Sequence, residues 1–260
     1  MAEGRITRGT TGVNRLRRVD RWMTTLSVLR QTSDPLVVDL GYGASATTSL
    51  ELHERLAKIR PDVEVIGVEI DPERVAIASR DAREGVSFRE GGFEVPLPHG
   101  RRPAIIRALN VLRQYDESEV AAAWGRMIAR LQPGGVLVEG TCNETGRVCS
   151  WVALTDAGPQ TFTISLRLAA LDEPSIVAER LPKALIHRNV PGERIHDYLN
   201  DLDRQWQINA PLSVYGPSQR WIATAEAMRK GGWPVEGAKA RWRLGELTVR
   251  WDAVAPAITP

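Results

Sequence analysis

The stretch VVDLGYGASATTS, residues 37–49, joins an apolar run to a turn that contains two glycines. The run LVVDL, residues 36–40, has the near-continuous apolar character of a strand buried on both faces of a parallel sheet. Gly41 and Gly43 follow it at once, and a glycine lets the backbone approach a ligand because it has no Cβ. Residues 46–59 then have helical spacing. The stretch predicts a strand, a ligand-binding turn and a helix.

The same alternation continues through residues 35–140. Further strands are predicted in VEVIGVEI (63–70), VSFRE (86–90), RPAIIRALNVL (102–112) and VLVEG (136–140), and further helices in residues 71–84 and 116–131. Asp116 and Glu119 have the spacing of a capping box at the start of the last helix. Strands that alternate with helices through short joints predict an α/β fold with a doubly wound, mostly parallel sheet.

The segments on either side of this core have different patterns. Residues 1–34 are predicted to form a basic N-terminal arm and helix, with a loose arm over residues 1–12 and a helix from Asn14 to about Arg30. In residues 141–260, VCSWVALT and QTFTISLRL flank DAGP and predict antiparallel edge strands. Helices are predicted at 174–185, 193–209 and 217–230. This C-terminal part is expected to be a substrate-side elaboration within the same compact unit.

Composition narrows the class of protein. An apolar content of 43% and a charged content of 25% are ordinary for a soluble globular chain with a substantial core. No apolar run approaches the ~20 residues of a membrane helix, and the N-terminus has no apolar signal region. Cys142 and Cys149 are too few for a disulfide framework. We therefore expect a cytoplasmic protein with no membrane association.

Two cofactor patterns overlap at the glycine turn. Gly41, Gly43 and Ala46 fit the dinucleotide pattern G-x-G-x-x-A, whereas Asp39 with the two glycines fits D-x-G-x-G. A carboxylate at Asp39 would repel a pyrophosphate and would favour a cationic ligand. Glu69, at the end of the second strand, can accept both hydroxyls of an adenosine ribose in either case. Asp39 thus favours the second pattern.

Four segments in order complete a family pattern. VVDLGYG, VIGVEIDPERVAIA, AIIRALNVL and LQPGGVLVEG have the spacing of class I S-adenosylmethionine-dependent methyltransferases, which residues 35–140 resemble. The resemblance implies a Rossmann-like transferase with S-adenosyl-L-methionine as its cofactor. Ser45 departs from the pattern, since it stands where the family's tighter motif has a third glycine.

By this resemblance, ten residues in four groups are expected to hold the cofactor. They are Asp39, Gly41, Gly43 and Ser45 at the methionine-binding turn, Glu69 and Ile70 at the ribose and adenine edge, Gly92 and Phe93 at the adenine, and Asn110 and Val111 beside the methionine.

The sequence names no catalytic residue and no metal ligands. The fourth strand lacks the D/N-P-P-Y/F motif of enzymes that methylate base amino groups. Cys142 follows a threonine, as in RNA cytosine-5 methyltransferases, but the Pro-Cys of that family is missing, so a bystander cysteine is favoured. His187 and His196 are alternatives as a general base, although surface histidines are the commoner case.

These observations predict methyl transfer to a small-molecule acceptor whose pocket is shaped by the residues after Gly140. Two alternatives stay open. One is an RNA methyltransferase in which Arg15, Arg18 and Arg21 of the arginine-rich arm contact phosphates. The other is a non-catalytic protein that keeps the fold to bind a partner. The identity of the acceptor and the oligomeric state are not predicted.

Overall fold

The computed structural model describes residues 2–257, which contain one nine-stranded sheet in the order β3-β2-β1-β4-β5-β6-β7-β9-β8. The strands are β1 (Leu36–Leu40), β2 (Glu64–Glu69), β3 (Val86–Glu90), β4 (Ile105–Leu109), β5 (Val136–Cys142), β6 (Val148–Thr155), β7 (Gly158–Leu166), β8 (Val235–Glu236) and β9 (Glu246–Arg250). Strands β1 to β5 pair in parallel, and β6 to β9 continue the sheet in antiparallel fashion. The predicted fold class is confirmed, and the antiparallel part comprises four strands rather than a narrow edge.

The α-helices cover both faces of the sheet. They are α1 (Arg17–Met23), α2 (Ser27–Gln31), α3 (Thr47–Leu56), α4 (Pro72–Ala78), α5 (Glu117–Ile128), α6 (Lys183–Ile186), α7 (Arg194–Ile208), α8 (Pro217–Lys230) and α9 (Lys239–Trp242). Helices α5, α7 and α8 bury their apolar side chains in one core, and α1 to α3 do so in a second core on the opposite face. This two-sided cover is why β1 can be apolar on both faces, with all five residues buried.

Local rules account for several element ends. Helix α4 has Pro72 in its first turn, and the Asp71 side chain accepts hydrogen bonds from the N–H groups of Glu73 and Arg74. Helix α5 begins with the predicted capping box of Asp116 and Glu119. Both devices satisfy N–H groups that the first turn of a helix leaves without partners.

Two helix predictions are wrong in detail. The predicted helix from Asn14 to Arg30 is two short helices, because Asn14 has a left-handed φ of 61° and the chain breaks between Met23 and Ser27. The predicted helix over residues 174–185 is a 3₁₀ helix, Pro174–Arg180, followed by α6. Pro182 separates the two, since a proline disfavours the helical conformation at the residue before it.

Within residues 2–257, no helix combines the length and the apolar composition needed to cross a membrane.

Candidate functional site

The glycine turn after β1 lies at the carboxyl edge of the parallel strands, where doubly wound folds bind their ligands. Gly41 and Gly43 have left-handed φ angles of 69° and 90°. A Cβ on Gly41 would lie 2.7 Å from Cγ2 of Val111, so the turn and the chain after β4 are in direct contact. The conformation and the close approach both require glycine at this position.

Glu69 ties the end of β2 to this turn. Its side chain is only 1% exposed, and Oε2 accepts a hydrogen bond of 3.0 Å from the N–H of Gly43. Oε1 accepts a second bond of 3.0 Å from the N–H of Ile70. The carboxylate predicted to bind a ribose is thus held in place by the backbone of the glycine turn and of Ile70.

Asp39 is buried and paired with other groups of the protein. Its carboxylate accepts hydrogen bonds from Nε of Arg107 at 3.0 Å, Oγ1 of Thr48 at 3.0 Å and Oγ of Ser49 at 2.8 Å. A second guanidinium nitrogen of Arg107 lies 2.6 Å from Oδ2. The positive charge of Arg107 balances the carboxylate, which corrects the expectation that Asp39 would repel a pyrophosphate.

Arg107 is completely buried, in register with Asp39 on the neighbouring strand β4. It also pairs with Asp20 of α1, which in turn pairs with Arg55 of α3 at 2.6 Å. Burial alone would lower the pKa of Arg107, but the charges of Asp39 and Asp20 outweigh it and raise that pKa. The sequence analysis missed this network, although an arginine within the apolar run AIIRAL is a detectable signal.

Residues 3–11, here called the strap, lie along the same edge of the sheet. Glu3 O accepts a bond of 2.8 Å from the N–H of Phe93, and Gly9 O accepts one of 2.9 Å from the N–H of Ala44. Between them, Thr7 O accepts a bond of 2.9 Å from the Arg74 guanidinium. The sequence predicts a loose arm over residues 1–12, and Met1 lies outside the described residues. Over residues 2–12 the prediction is wrong, because two backbone N–H groups and the Arg74 guanidinium hold these carbonyls.

The strap packs closely on the predicted adenine edge. A Cβ on Gly92 would lie 1.9 Å from Glu3 O. A Cβ on Gly4 would contact the hydroxyl of Tyr115 at 3.1 Å and the side chain of Ile70 at 3.5 Å. The chain itself thus covers the groups that the sequence predicts for the adenine and ribose.

A cavity of about 340 Å³ opens above β1 and β4, and residues 7–10 of the strap form part of its wall. Four of the ten predicted residues line it, namely Asp39, Gly41, Gly43 and Asn110. The other six do not: Ser45, Glu69, Ile70, Gly92 and Phe93 lie on the side of the turn that the strap covers, and Val111 packs behind Gly41. Ser45 bonds to the hydroxyl of Thr11 in the strap at 3.0 Å.

Asn110 is fixed at the wall of this cavity. It has a left-handed φ of 63°, which asparagine tolerates better than most residues. Its Oδ1 accepts a bond of 3.0 Å from the N–H of Cys142, and its Nδ2 lies 3.4 Å from the sulfur of that residue. The amide is therefore anchored to β5 and does not cap the turn that follows β4.

Four arginines that the cofactor prediction did not include also line the cavity: Arg8, Arg15, Arg113 and Arg180. Among residues 2–257, no carboxylate forms an ion pair with any of them. Desolvation lowers the pKa of Arg113, and so do the positive charges of the other three. No spacing pattern links these four positions, so only folding brings them together.

The remaining sequence candidates lie away from the cavity or are buried. Cys142 is fully buried in β5, opposite Cys149 in β6, which supports the bystander interpretation. Nε2 of His187 lies 3.1 Å from Nζ of Lys183, and Nδ1 of His196 lies 3.2 Å from Oδ1 of Asn189. Neither histidine lines the cavity.

The arginines proposed to contact RNA are used inside the protein. Arg15 and Arg18 are only 9% and 8% exposed. Arg18 donates to the carbonyls of Gly146 and Leu244, and Arg21 pairs with Glu246 at 3.0 Å. Arg18 and Arg21 are therefore engaged within the protein, whereas Arg15 lines the cavity and is not part of an open helix face.

Comparison with known proteins gives only structural likenesses. No protein-family model and no curated protein match this chain. Similar solved structures include human N-acetylserotonin methyltransferase in complex with SAM, which is 24% identical over 48% of this chain and 33% of its own, with a TM-score of 0.37. Magnesium protoporphyrin IX methyltransferase from Synechocystis PCC 6803, with bound SAH, is 18% identical over 48% of this chain and 53% of its own, also with a TM-score of 0.37.

The similar structures are not uniform in their reactions. The [4+2]-cyclase SpnF is 26% identical over 47% of this chain and 44% of its own, with a TM-score of 0.33. The chain spans about a third of the human enzyme and about half of the Synechocystis enzyme. At these TM-scores the likeness carries no argument about reaction or substrate, which must come from the site itself.

Proposed function

We propose that this protein is an S-adenosylmethionine-dependent methyltransferase. One observation carries the proposal: the sheet becomes antiparallel immediately after β5. A dinucleotide fold needs two parallel mononucleotide-binding halves, with three strands in each. Strands β1, β2 and β3 make one such half, whereas β4 and β5 are followed by an antiparallel hairpin. The carboxyl edge therefore offers a platform for one nucleoside.

The residues present fit this cofactor by their chemistry. In the proposal, Glu69 accepts the ribose hydroxyls, and the N–H of Phe93 donates to the adenine beside Ile70 and Gly92. The glycine turn of Gly41 and Gly43, with Ser45, lets the methionine part approach the backbone. Asn110, which lines the cavity, would face that part, and Asp39 and Val111 would support the turn from beneath.

The cofactor supplies an electrophilic methyl group on a sulfonium, so the chemistry needs little further activation. The protein then contributes alignment and the exclusion of water. In the proposal, the strap and the parts of residues 141–260 that reach the cavity, Glu144 and Arg180, enclose the acceptor. Neither His187 nor His196 lines the cavity, so the proposal assigns no general base to them.

In the proposal, the cofactor and the strap compete for one donor, the N–H of Phe93. The N–H groups of Phe93 and Ala44 already donate to Glu3 O and Gly9 O. The N–H of Phe93 has one proton to donate, so Glu3, at the start of the strap, would leave this position when the cofactor enters. We therefore expect an apparent affinity that is reduced by the free energy of releasing the strap.

Calorimetry with S-adenosylmethionine, its demethylated product and NAD tests the proposal. We expect saturable binding of the first two and none of NAD.

Glu69→Gln keeps one acceptor for the turn and should weaken binding of S-adenosylmethionine by about 1–3 kcal/mol, since a charge-assisted bond to the ribose is lost. Glu90→Gln, at the exposed end of β3, is the matched control. Binding of NAD alone would contradict the proposal, and cofactor binding without turnover would favour a non-catalytic protein.

A further inference from the structure

The cavity beside the strap has an excess of positive charge. Four arginines line it (Arg8, Arg15, Arg113 and Arg180), and its carboxylates are Asp39 and Glu144. Asp39 is neutralised by Arg107, so Glu144 alone is left to balance the four arginines. This leaves a net charge of about three positive units around one small cavity, which is costly unless an anion compensates it.

The arginines differ in the hydrogen bonds that their side chains form within the protein. Arg15 is 9% exposed and donates to the carbonyls of Thr10 and Asn143, so its backbone partners hold it without balancing its charge. Nε of Arg180 is buried and has no hydrogen-bond partner among the described residues. A buried donor without an acceptor costs free energy, and a ligand oxygen is a natural acceptor for it.

The proposed cofactor does not remove this excess. S-adenosylmethionine carries a carboxylate, an ammonium group and a sulfonium, so its net charge is positive. Its carboxylate can satisfy one arginine, but bound cofactor increases the positive charge at the site. The compensating charge must then come from the second substrate.

We propose that the arginine-lined cavity binds an anionic group, a carboxylate or a phosphate, of the methyl acceptor. The identification of the ligand as an acceptor rests on the proposed function, whereas anion binding by itself does not. Guanidinium groups suit both ligand types because their planar fork matches two oxygens at once. A cavity of about 340 Å³ is of the size that encloses a small molecule.

The experiment is calorimetric titration of the full chain with inorganic phosphate and with citrate, at ionic strength matched by sodium chloride. We expect saturable binding of at least one of them. Arg180→Gln and Arg113→Gln should each weaken it roughly tenfold, the usual effect of losing one charge-assisted hydrogen bond. Comparing phosphate with citrate shows which anion the cavity prefers. Arg89→Gln, an exposed arginine on β3 outside the cavity, should bind like the wild type.

A second measurement separates a ligand-binding role from a structural one. The Arg180 side chain donates no hydrogen bond among the described residues, and the Arg113 side chain donates a single one, to Glu179 O at 3.3 Å. Removing either charge relieves repulsion, so the Tm of each variant without ligand should equal or exceed that of the wild type. A marked fall in Tm would mean that these arginines serve stability, and it would overturn the proposal.

Other outcomes would also overturn it. Absence of saturable binding at millimolar phosphate and citrate would do so, as would equal weakening in Arg89→Gln. Tight, steeply salt-dependent binding of total RNA that Arg180→Gln abolishes would replace the small acceptor with RNA. A protein that binds S-adenosylmethionine but neither anion would refute only this inference. One that binds the anions but no cofactor would refute the proposed function and leave the anion site standing.

Discussion

The two sides of the glycine turn treat their polar groups in opposite ways. Over β2 and β3, the strap supplies carbonyl acceptors to donors of the core, so that Phe93, Arg74 and Ala44 are satisfied by the chain itself. Over β1 and β4, arginines line a cavity without carboxylate partners. One edge of a parallel sheet can therefore contain two different halves. In one half the chain pairs its own polar groups, and in the other the positive charges have no carboxylate partners among the described residues. Only the second half has unpaired positive charge that the proposed anion would compensate.

The largest expected effect is on stability, and it comes from the buried ion pair between Arg107 of β4 and Asp39 of β1. Arg107→Met leaves Asp39 buried without its partner and should lower the free energy of unfolding by about 3–5 kcal/mol, measured by urea denaturation. Arg101→Met is the control, because its pairs with Asp34 and Glu64 are partly exposed and should contribute about 0–1 kcal/mol.

This change also tests where Asp39 belongs. If Asp39 is stabilised by this buried ion pair, the double change of Asp39→Asn with Arg107→Met should recover part of the lost stability. If Arg107→Met lowered the free energy of unfolding by less than about 1 kcal/mol, Asp39 would behave like a solvated carboxylate. That result would contradict the claim that Asp39 is buried and needs Arg107 to balance its charge.

An intermediate effect is expected on the strap side alone. In Gly92→Ala the new Cβ would meet Glu3 O at 1.9 Å, so the first residues of the strap must move away. Loss of the bond to Phe93 and the clash together should speed amide hydrogen exchange at Phe93 roughly tenfold or more.

The control for this change is Gly125→Ala in α5, where no atom lies within 4 Å of the new Cβ. Phosphate binding by the cavity should persist in Gly92→Ala, since the atoms nearest the new Cβ belong to Glu3, and Arg8 is the only one of the four arginines that lies on the strap. Unchanged exchange at Phe93 would show that the strap is not held at Gly92.

The smallest effect is expected from a single hydrogen bond of the strap. Oε2 of Glu94 accepts a bond of 2.8 Å from the N–H of Glu3. Glu94→Gln removes the carboxylate and should weaken strap docking by about 0.5–1.5 kcal/mol, seen as a few-fold rise in exchange across residues 2–6. Glu90→Gln, which lies nearby without a strap contact, should exchange like the wild type. If amide exchange rose more in Glu94→Gln than in Gly92→Ala, the bond to Glu94 would hold the strap more strongly than the packing on Gly92, contrary to this prediction.

The parallel half was predictable because its signals are local. The apolar runs of β1 to β5, the glycine turn and the Asp116 capping box each depend on neighbours in the sequence. The antiparallel hairpin of β6 and β7 was predictable for the same reason. By contrast, the non-helical conformation of Asn14 and the course of the strap were missed, because distant partners hold both. Asn14, for example, donates its N–H to Glu51 of α3.

For the candidate site, the sequence by itself placed the glycine turn at the carboxyl edge of the parallel strands, since a glycine turn after a buried strand permits a close backbone approach. It placed Glu69 at that edge, but it did not reveal that the carboxylate bonds to Gly43. Only the tertiary structure decided that Arg107 neutralises Asp39 and that the strap covers Gly92 and Phe93. The reason is physical: a charge acts on whatever lies within a few ångströms. Folding brings residues far apart in the sequence, such as Arg8 and Arg180, to the same cavity.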